Sequence, residues 1–193
     1  METMMSWKVE DSANASIARR DEPWCTEQMK AHWTKDVLPR YATKHGALMP
    51  ILHDLQHAYR HVSFQAMVEV AAFLDLPPAE ILDTASFYDE YTTTPVGKCV
   101  IGICQSIACE VCDHMVLVDH VRDRLGVEPH ETTDDGMFTL LEMECLGSCD
   151  TAPVAIFNET LHENLDIKTI DRLIDEVRAS GGANDQASDA PEP

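Results

Sequence analysis

The spacing of apolar side chains divides the chain into a helical first half and a mixed second half. From residue 23 to residue 86 apolar residues recur every three or four positions, the period of helices that bury one face. Ser63 is a suitable N-cap, and Pro77-Pro78 suits the start of a helix. The pattern predicts a small bundle of helices at about 23–44, 47–61, 64–74 and 79–85.

The second half changes to short apolar runs separated by turns and two more helices. Gly126 is a suitable helix stop, and Asp166 a suitable N-cap. The pattern predicts, in order, a strand at 98–104, a helix at 109–125, strands at 138–144 and 153–157, a short edge strand around 161, and a helix at 167–179. A strand, a crossover helix and a second strand form a right-handed parallel unit. A hairpin and a covering helix follow, and this order matches a thioredoxin-like sandwich.

We therefore expect an α+β protein in which a helical bundle precedes a thioredoxin-like domain. The predicted division is an N-terminal extension with one helix (1–45), the helical bundle (46–94), the thioredoxin-like domain (95–180) and a disordered tail (181–193). Residues 1–22 lack periodicity and are expected to be extended or disordered. The N-terminal extension matches no known motif, and one hypothesis is that it is an arm that docks on a partner.

Charge and hydropathy narrow the function classes. The net charge is −20, and residues 99–193 carry twenty of the 34 acidic residues but five of the 14 basic ones. Such a surface repels phosphates, so nucleic-acid binding is not expected. The simpler interpretation of this acidic charge is that it keeps the protein soluble, and the more specific one is that it contacts a basic partner. No apolar run reaches the length of a membrane span, and the N-terminus resembles neither a secretory signal nor a transit peptide. These features predict a cytoplasmic protein.

Six of the seven cysteines lie between residues 99 and 149, and four of them form two close pairs. Cys104 and Cys109 have the spacing C-x4-C, and Cys145 and Cys149 have the spacing C-x3-C, each pair just after a predicted strand. In a reducing compartment such thiols are metal ligands or redox groups rather than a disulfide framework. Each iron of a [2Fe–2S] cluster takes two protein ligands, so two pairs of thiolates suit this cluster. Small flanking residues (Ser106, Ala108, Gly147 and Ser148) leave room for backbone N–H groups to reach the sulfurs.

Three other site assignments remain open. Cys104, Cys109 and Cys112 have the plant-type ferredoxin spacing, with Cys145 as the fourth ligand. Cys109 and Cys112 alone form a C-x-x-C motif at a predicted helix start, as in thiol oxidoreductases. Structural zinc on four cysteines is the third, although zinc sites usually have shorter C-x2-C spacings.

Three histidines and two further cysteines have simpler interpretations. His53, His57 and His61 lie on one face of the second helix, but no cysteine or carboxylate completes a metal site there at helical spacing. Solvation or pairing with the abundant acids is the expected state of this row. Cys25 and Cys99 are expected to be buried thiols.

Several motifs together resemble the thioredoxin-like [2Fe–2S] subunit of respiratory complex I, the 24-kilodalton family of NADH:quinone oxidoreductase. Besides the C-x4-C pair, they are ALMPILHDLQ (47–56), LDTASFY (82–88), PVGK (95–98), TTDDGMFT (132–139), ECLGSC (144–149) and APV (152–154). They occur in the family's order, and the resemblance covers about residues 46–178. The family usually has a glycine shortly after the second ligand, where this chain has Cys112, which keeps the ferredoxin-spaced alternative open.

The resemblance implies a site and a role. The four ligands would be Cys104, Cys109, Cys145 and Cys149. The chain would be an electron carrier within an NADH dehydrogenase (quinone), and its cluster would exchange electrons with FMN in a partner subunit that also binds NADH. Further Fe–S subunits would complete the complex, which would lie on the inner face of the membrane with this chain as a peripheral part. Homologous subunits serve NAD-linked hydrogenases and formate dehydrogenases, so these remain alternatives.

Overall fold

A computed structural model describes residues 19–182, and the first half of this range forms the predicted helical bundle. Its helices are α1 (Glu27–His32), α2 (Leu48–Tyr59), α3 (Phe64–Leu74) and α4 (Pro78–Phe87). The first helix continues as a π-helical turn to Val37 and a 3-10 turn to Arg40. The expectations for the first 18 residues and for residues 183–193 fall outside the described residues.

The N-cap predicted for α3 is present, and left-handed residues end α2 and α3. The Ser63 hydroxyl accepts a hydrogen bond from the Ala66 N–H at 3.2 Å and caps α3. The α2 helix ends at Arg60 and α3 ends at Asp75, and both residues have a left-handed backbone, with φ of 61° and 59°. Each chain reversal lets the next helix pack back on the previous one.

The bundle has its own apolar core. Trp33 lies at its centre, fully buried, and its indole Nε1–H donates to Asp54 Oδ2 at 2.6 Å. The predicted helix over 23–44 was too long: the chain leaves the helix after Arg40, and Tyr41 beyond it is exposed. The core also includes Met29, Ile51, Leu52, Leu55, Val70, Leu74 and Ile81.

Four strands of the described chain form one mixed sheet beyond the bundle. They are β1 (Cys99–Cys104), β2 (Phe138–Met143), β3 (Ala155–Phe157) and β4 (Thr160–His162), in the order β2-β1-β3-β4. The β1 and β2 strands are parallel, whereas β3 is antiparallel to both β1 and β4. The predicted parallel unit and the hairpin that follows it are both present, and the α+β fold class is confirmed.

The predicted helix over 109–125 is two helices. The α5 helix spans Ile107–Val111, and α6 spans His114–Leu125. Asp113 between them has φ 58°, in the left-handed region that interrupts a right-handed helix. The predicted single helix was therefore wrong at its start, and Cys112 ends a one-turn helix rather than lying inside a long one. Gly126, with φ 71°, ends α6 as expected.

A second apolar core lies under the sheet. The α6 helix packs against β1, β2 and the last helix, α7 (Ile167–Ala179). Asp166 caps α7 by accepting from the Thr169 N–H at 2.8 Å. The buried residues include Ile101, Ile103, Val121, Phe138, Leu140, Phe157, Ile170 and Ile174.

Arg60 joins the helical bundle to the sheet. Its Nη2 donates to the Gly97 carbonyl at 2.9 Å and to Asn158 Oδ1 at 3.0 Å. Asn158 Oδ1 in turn accepts from the Val100 N–H at 2.9 Å, so the contact reaches β1. Partial burial of the guanidinium lowers the pKa of Arg60. This junction fixes the bundle against the strand that leads to Cys104.

Candidate metal centre

The register of two parallel strands brings the two cysteine pairs together. Cys104, the last residue of β1, is paired with Met143, the last residue of β2. The Gln105 N–H donates to the Met143 carbonyl at 2.9 Å, so both strands leave the sheet at the same edge. The loop that carries Cys145 therefore begins beside the loop that carries Cys109.

Cys104 and Cys109 form an inner pair. Both side chains are buried, in a small apolar cluster with Val154 that Leu146 and Ala152 extend. Burial raises the pKa of Cys109 to about 11, while a hydrogen bond from the Val154 backbone N–H acts in the opposite direction. This N–H is placed to stabilise negative charge on the sulfur of a metal-bound thiolate.

Cys145 and Cys149 form an outer pair that is exposed. Their Sγ atoms lie 3.6 Å apart, and the Gly147 N–H donates to Cys145 Sγ at 3.4 Å. This hydrogen bond is the main cause that lowers the pKa of Cys145, and a hydrogen bond with Cys145 raises that of Cys149. Gly147 has φ 81°, a conformation that other residues rarely adopt. The glycine thus gives the turn that presents a backbone N–H to sulfur.

The two pairs lie beside each other. The Ser106 hydroxyl, from the inner loop, is close enough to Cys145 to help lower the pKa of that thiol, and Cys104 and Cys149 are close enough to interact electrostatically. Across residues 19–182, no three His, Cys, Asp or Glu side chains converge on one metal ion. The four thiols instead form two pairs with separate N–H donors, and this donor set fits a [2Fe–2S] core, in which each iron takes two thiolates.

Cys112 stands apart from these four thiols. Its side chain is exposed at the end of α5, whereas Cys109, one turn earlier, is buried. In a thiol oxidoreductase the N-terminal thiol of the motif is accessible and has a lowered pKa. Cys109 is the opposite in both respects, so the geometry does not favour that assignment.

The other two cysteines are buried, and two of the three histidines lie near carboxylates. Cys25 and Cys99 are fully buried, and burial raises the pKa of each to about 12, which makes them inert thiols. In the histidine row, His57 Nε2 lies 3.3 Å from Glu159 Oε1 and His53 Nδ1 lies 4.0 Å from Glu90 Oε1. These carboxylates lie outside α2, so pairing with acids, one of the two expected states, is present at these two positions. His61 lies beyond the end of α2 at Tyr59, so the predicted row of three on one helical face was wrong at its third member.

Glu163 lies near the outer pair, and the sequence did not predict this position. Glu163, after β4, accepts hydrogen bonds from the hydroxyls of Ser148 and Thr151, which flank Cys149. Two strands, β3 and β4, and the hairpin turn between them separate Glu163 from Ser148 and Thr151, and no motif or periodicity links these residues. A signal for this contact exists in the folded chain but not in the local sequence.

The fold and the paired thiols define a class: a thioredoxin-like domain with a four-thiol site at the edge of its sheet. The profile of the family described as thioredoxin-like [2Fe-2S] ferredoxin matches residues 34–178. The chain belongs to this family, and its membership implies a [2Fe–2S] cluster.

Two proteins with similar sequences are subunits of NADH-quinone oxidoreductase. The chain is 35% identical over 141 residues to an NADH-quinone oxidoreductase subunit of Rhizobium meliloti (strain 1021), covering 73% of this chain and 84% of that protein. It is 33% identical over 145 residues to an NADH-quinone oxidoreductase subunit of Mycobacterium bovis, covering 75% of this chain and 58% of that protein. The chain therefore spans little more than half the length of the second relative.

Solved structures of NAD+-reducing [NiFe]-hydrogenase are also similar. The air-oxidized form aligns with a TM-score of 0.60 and 29% identity over 69% of this chain, and the H2-reduced form with 0.62 and 27% over 78%. These alignments cover 23% and 24% of the hydrogenase chains, which are much longer. Among the described helices, none has the length and hydropathy needed to cross a bilayer.

Proposed function

We propose that Cys104, Cys109, Cys145 and Cys149 hold one [2Fe–2S] cluster and that the chain is the electron-transfer subunit of an NADH-oxidising complex, of the NADH:quinone oxidoreductase (complex I) class. The observation that carries the proposal is the arrangement of these four thiols in two pairs that lie beside each other. Membership of the [2Fe–2S] family and the names of the relatives support it.

The residues around the thiols suit a one-electron carrier. The cluster, when bound, accepts and returns single electrons, and the protein sets how readily it does so. The Val154 and Gly147 N–H groups stabilise charge on the sulfurs. The inner pair is shielded by apolar side chains, whereas the outer pair opens to the surface, where an electron can leave.

The surface beside the site supports docking of a partner. On α5 the side chains of Ile107 and Val111, one turn apart and either side of Cys109, are 83% and 81% exposed. Glu110 lies between them in the sequence of α5, and Glu144 and Asp150 are next to Cys145 and Cys149 in sequence. We propose that this apolar pair contacts the FMN- and NADH-binding subunit, which exchanges electrons with the cluster. Further Fe–S subunits would follow, in a complex peripheral to the inner face of the membrane.

A second candidate is the homologous diaphorase subunit of an NAD-linked hydrogenase or formate dehydrogenase. The similarity to NAD+-reducing hydrogenase, at TM-scores of 0.60 and 0.62, favours the hydrogenase form of this alternative. In both candidates the chain carries electrons between a flavin and other centres, and they differ in the final electron partner.

Composition and partners of the purified protein test the proposal. The full chain, purified free of partner subunits, should contain about two irons and two labile sulfides. When the tagged chain is instead isolated from its host with its partners, a flavoprotein with NADH:ferricyanide reductase activity should co-purify with it. Quinone-reducing subunits would identify the complex I class, and hydrogenase or formate dehydrogenase subunits the alternative. Zinc without labile sulfide would refute the proposal.

A pair of double variants tests the docking surface. Ile107→Ser with Val111→Ser should keep the cluster but lose the flavoprotein. The matched control is Phe64→Ser with Val68→Ser, which also removes two exposed apolar residues one helical turn apart, 44% and 53% exposed, on α3 of the bundle. The control should retain the flavoprotein. Equal retention by both double variants would remove α5 from the proposed interface.

A further inference from the structure

Glu163 ties the end of the sheet to the loop of the outer cysteine pair. The Thr151 hydroxyl donates to Glu163 Oε1 at 2.7 Å, and the Ser148 hydroxyl donates to the same oxygen. The two hydroxyls also lie 2.7 Å from each other. Cys149 stands between Ser148 and Thr151 in sequence, so one carboxylate fixes the chain on both sides of that thiol.

Backbone contacts hold Glu163 itself in place. The Asn164 N–H donates to the Thr151 carbonyl at 2.8 Å, and the Leu165 N–H donates to the Pro153 carbonyl at 3.0 Å. These bonds do not involve the Glu163 side chain. A substitution at this position should therefore remove the carboxylate and leave the packing of the two segments in place.

The carboxylate is ionised at neutral pH. Hydrogen bonds from Ser148 and Thr151 lower the pKa of Glu163, which is exposed to solvent. It thus adds a negative charge at the exposed side of the site, next to the loop of the outer pair.

We propose that Glu163 is a positioning residue for the metal centre, which orders the loop around Cys149 and keeps the reduction potential of the cluster low through its charge. This inference rests on the proposed function, because it assumes that Cys149 is a ligand. Glu163 orders the loop through its hydrogen bonds with Ser148 and Thr151, whereas its charge acts on the cluster directly.

Two substitutions separate the effect of charge from that of loop order. Glu163→Gln removes the charge but keeps an oxygen that accepts a hydrogen bond, whereas Glu163→Ala removes both. Asp83→Asn is the control, because it removes one negative charge from an exposed position on α4 of the bundle. The purified full chain is used for all four proteins, including the wild type.

Two measurements follow the cluster directly. Redox titration monitored by electron paramagnetic resonance gives the potential, and the decay of visible absorbance in excess chelator gives the rate of cluster loss. Both Glu163 variants should have a higher potential than the wild type and the control, because removing negative charge favours reduction. Glu163→Ala should lose the cluster roughly two- to tenfold faster, the scale of a lost hydrogen bond, and Glu163→Gln should lie between it and the wild type.

The results distinguish this inference from the proposed function. If the wild type holds the cluster and Glu163→Ala matches Asp83→Asn in both potential and rate of loss, the role of Glu163 is overturned and the proposed function stands. If the wild type holds no iron and labile sulfide, both are overturned.

Discussion

Cys104 and Met143 are register partners at the ends of two parallel strands. Because Cys145 follows Met143 by two residues, this pairing places the loop that begins at Cys145 beside the loop that begins after Cys104. A shift of the register by one residue would turn each side chain to the opposite face of the sheet. The strand pairing is therefore a condition for a four-thiol site, which the spacing of the cysteines does not supply alone.

The choice of ligands can be tested by single serine substitutions. Cys145→Ser should abolish or strongly reduce the cluster, because it removes one thiol of the outer pair. Cys112→Ser, the control, should leave iron and labile sulfide at wild-type levels, because Cys112 is exposed at the end of α5. Iron and sulfide analysis with visible absorbance gives the answer. Loss of the cluster from Cys112→Ser and its retention in Cys149→Ser would instead support the ferredoxin-spaced set.

Glu144 should lower the reduction potential. It directly precedes Cys145, and the Gln105 side-chain amide donates to its Oε1 at 3.4 Å across the two loops. Glu144→Gln should raise the potential, since added negative charge opposes reduction, and it preserves the shape of the side chain. A titration followed by electron paramagnetic resonance measures the change against Asp83→Asn. An unchanged potential would mean that solvent screens this charge.

A side chain at position 97, in place of Gly97, should destabilise the folded protein. A Cβ atom there would lie 2.7 Å from the carbonyl carbon of Phe138, in the backbone of the neighbouring strand. Gly97→Ala should cost about 1–3 kcal/mol, the range for overpacking, and lower the melting temperature by a few degrees. Gly46→Ala is the control, because its Cβ would meet a movable Tyr41 side-chain atom at 3.3 Å. Thermal unfolding followed by circular dichroism compares them, and equal melting temperatures would contradict the expectation.

Asp171 should make stability depend on pH. Hydrogen bonds from His120 and Arg124 lower its pKa in the folded state. A carboxyl with a lowered folded pKa stabilises the protein above its unfolded pKa, and this contribution is lost as pH falls through the folded value. Asp171→Asn should therefore unfold at a lower temperature than the wild type at pH 7, with a difference that shrinks towards pH 3.

The measurement compares wild type and Asp171→Asn at each pH, so that protonation of the ligand thiolates affects both proteins alike. Asp83→Asn provides the control for a general change in net charge. A difference between wild type and Asp171→Asn that stays constant from pH 7 to pH 3 would contradict the assignment of this stabilisation to the Asp171 carboxylate.

The sequence by itself determined the features that depend on near neighbours. Ser63 and Asp166 cap helices at the predicted residues, because a capping side chain bonds to an N–H only three positions away. The order of strands and helices followed from apolar periodicity. The two cysteine pairs could also be recognised from the sequence, because the members of each pair are close in sequence and share one short loop.

Tertiary structure decided what depends on residues distant in the chain. The break at Asp113 could not be seen in a continuous apolar pattern, because periodicity does not report the sign of φ. Glu163 meets Ser148 and Thr151 only after β3 and β4 fold back as a hairpin. The exposure of Cys112 and the burial of Cys109 likewise follow from how α5 packs beside the Cys149 turn. These contacts join segments that local sequence signals do not connect, so only the packed chain reveals them.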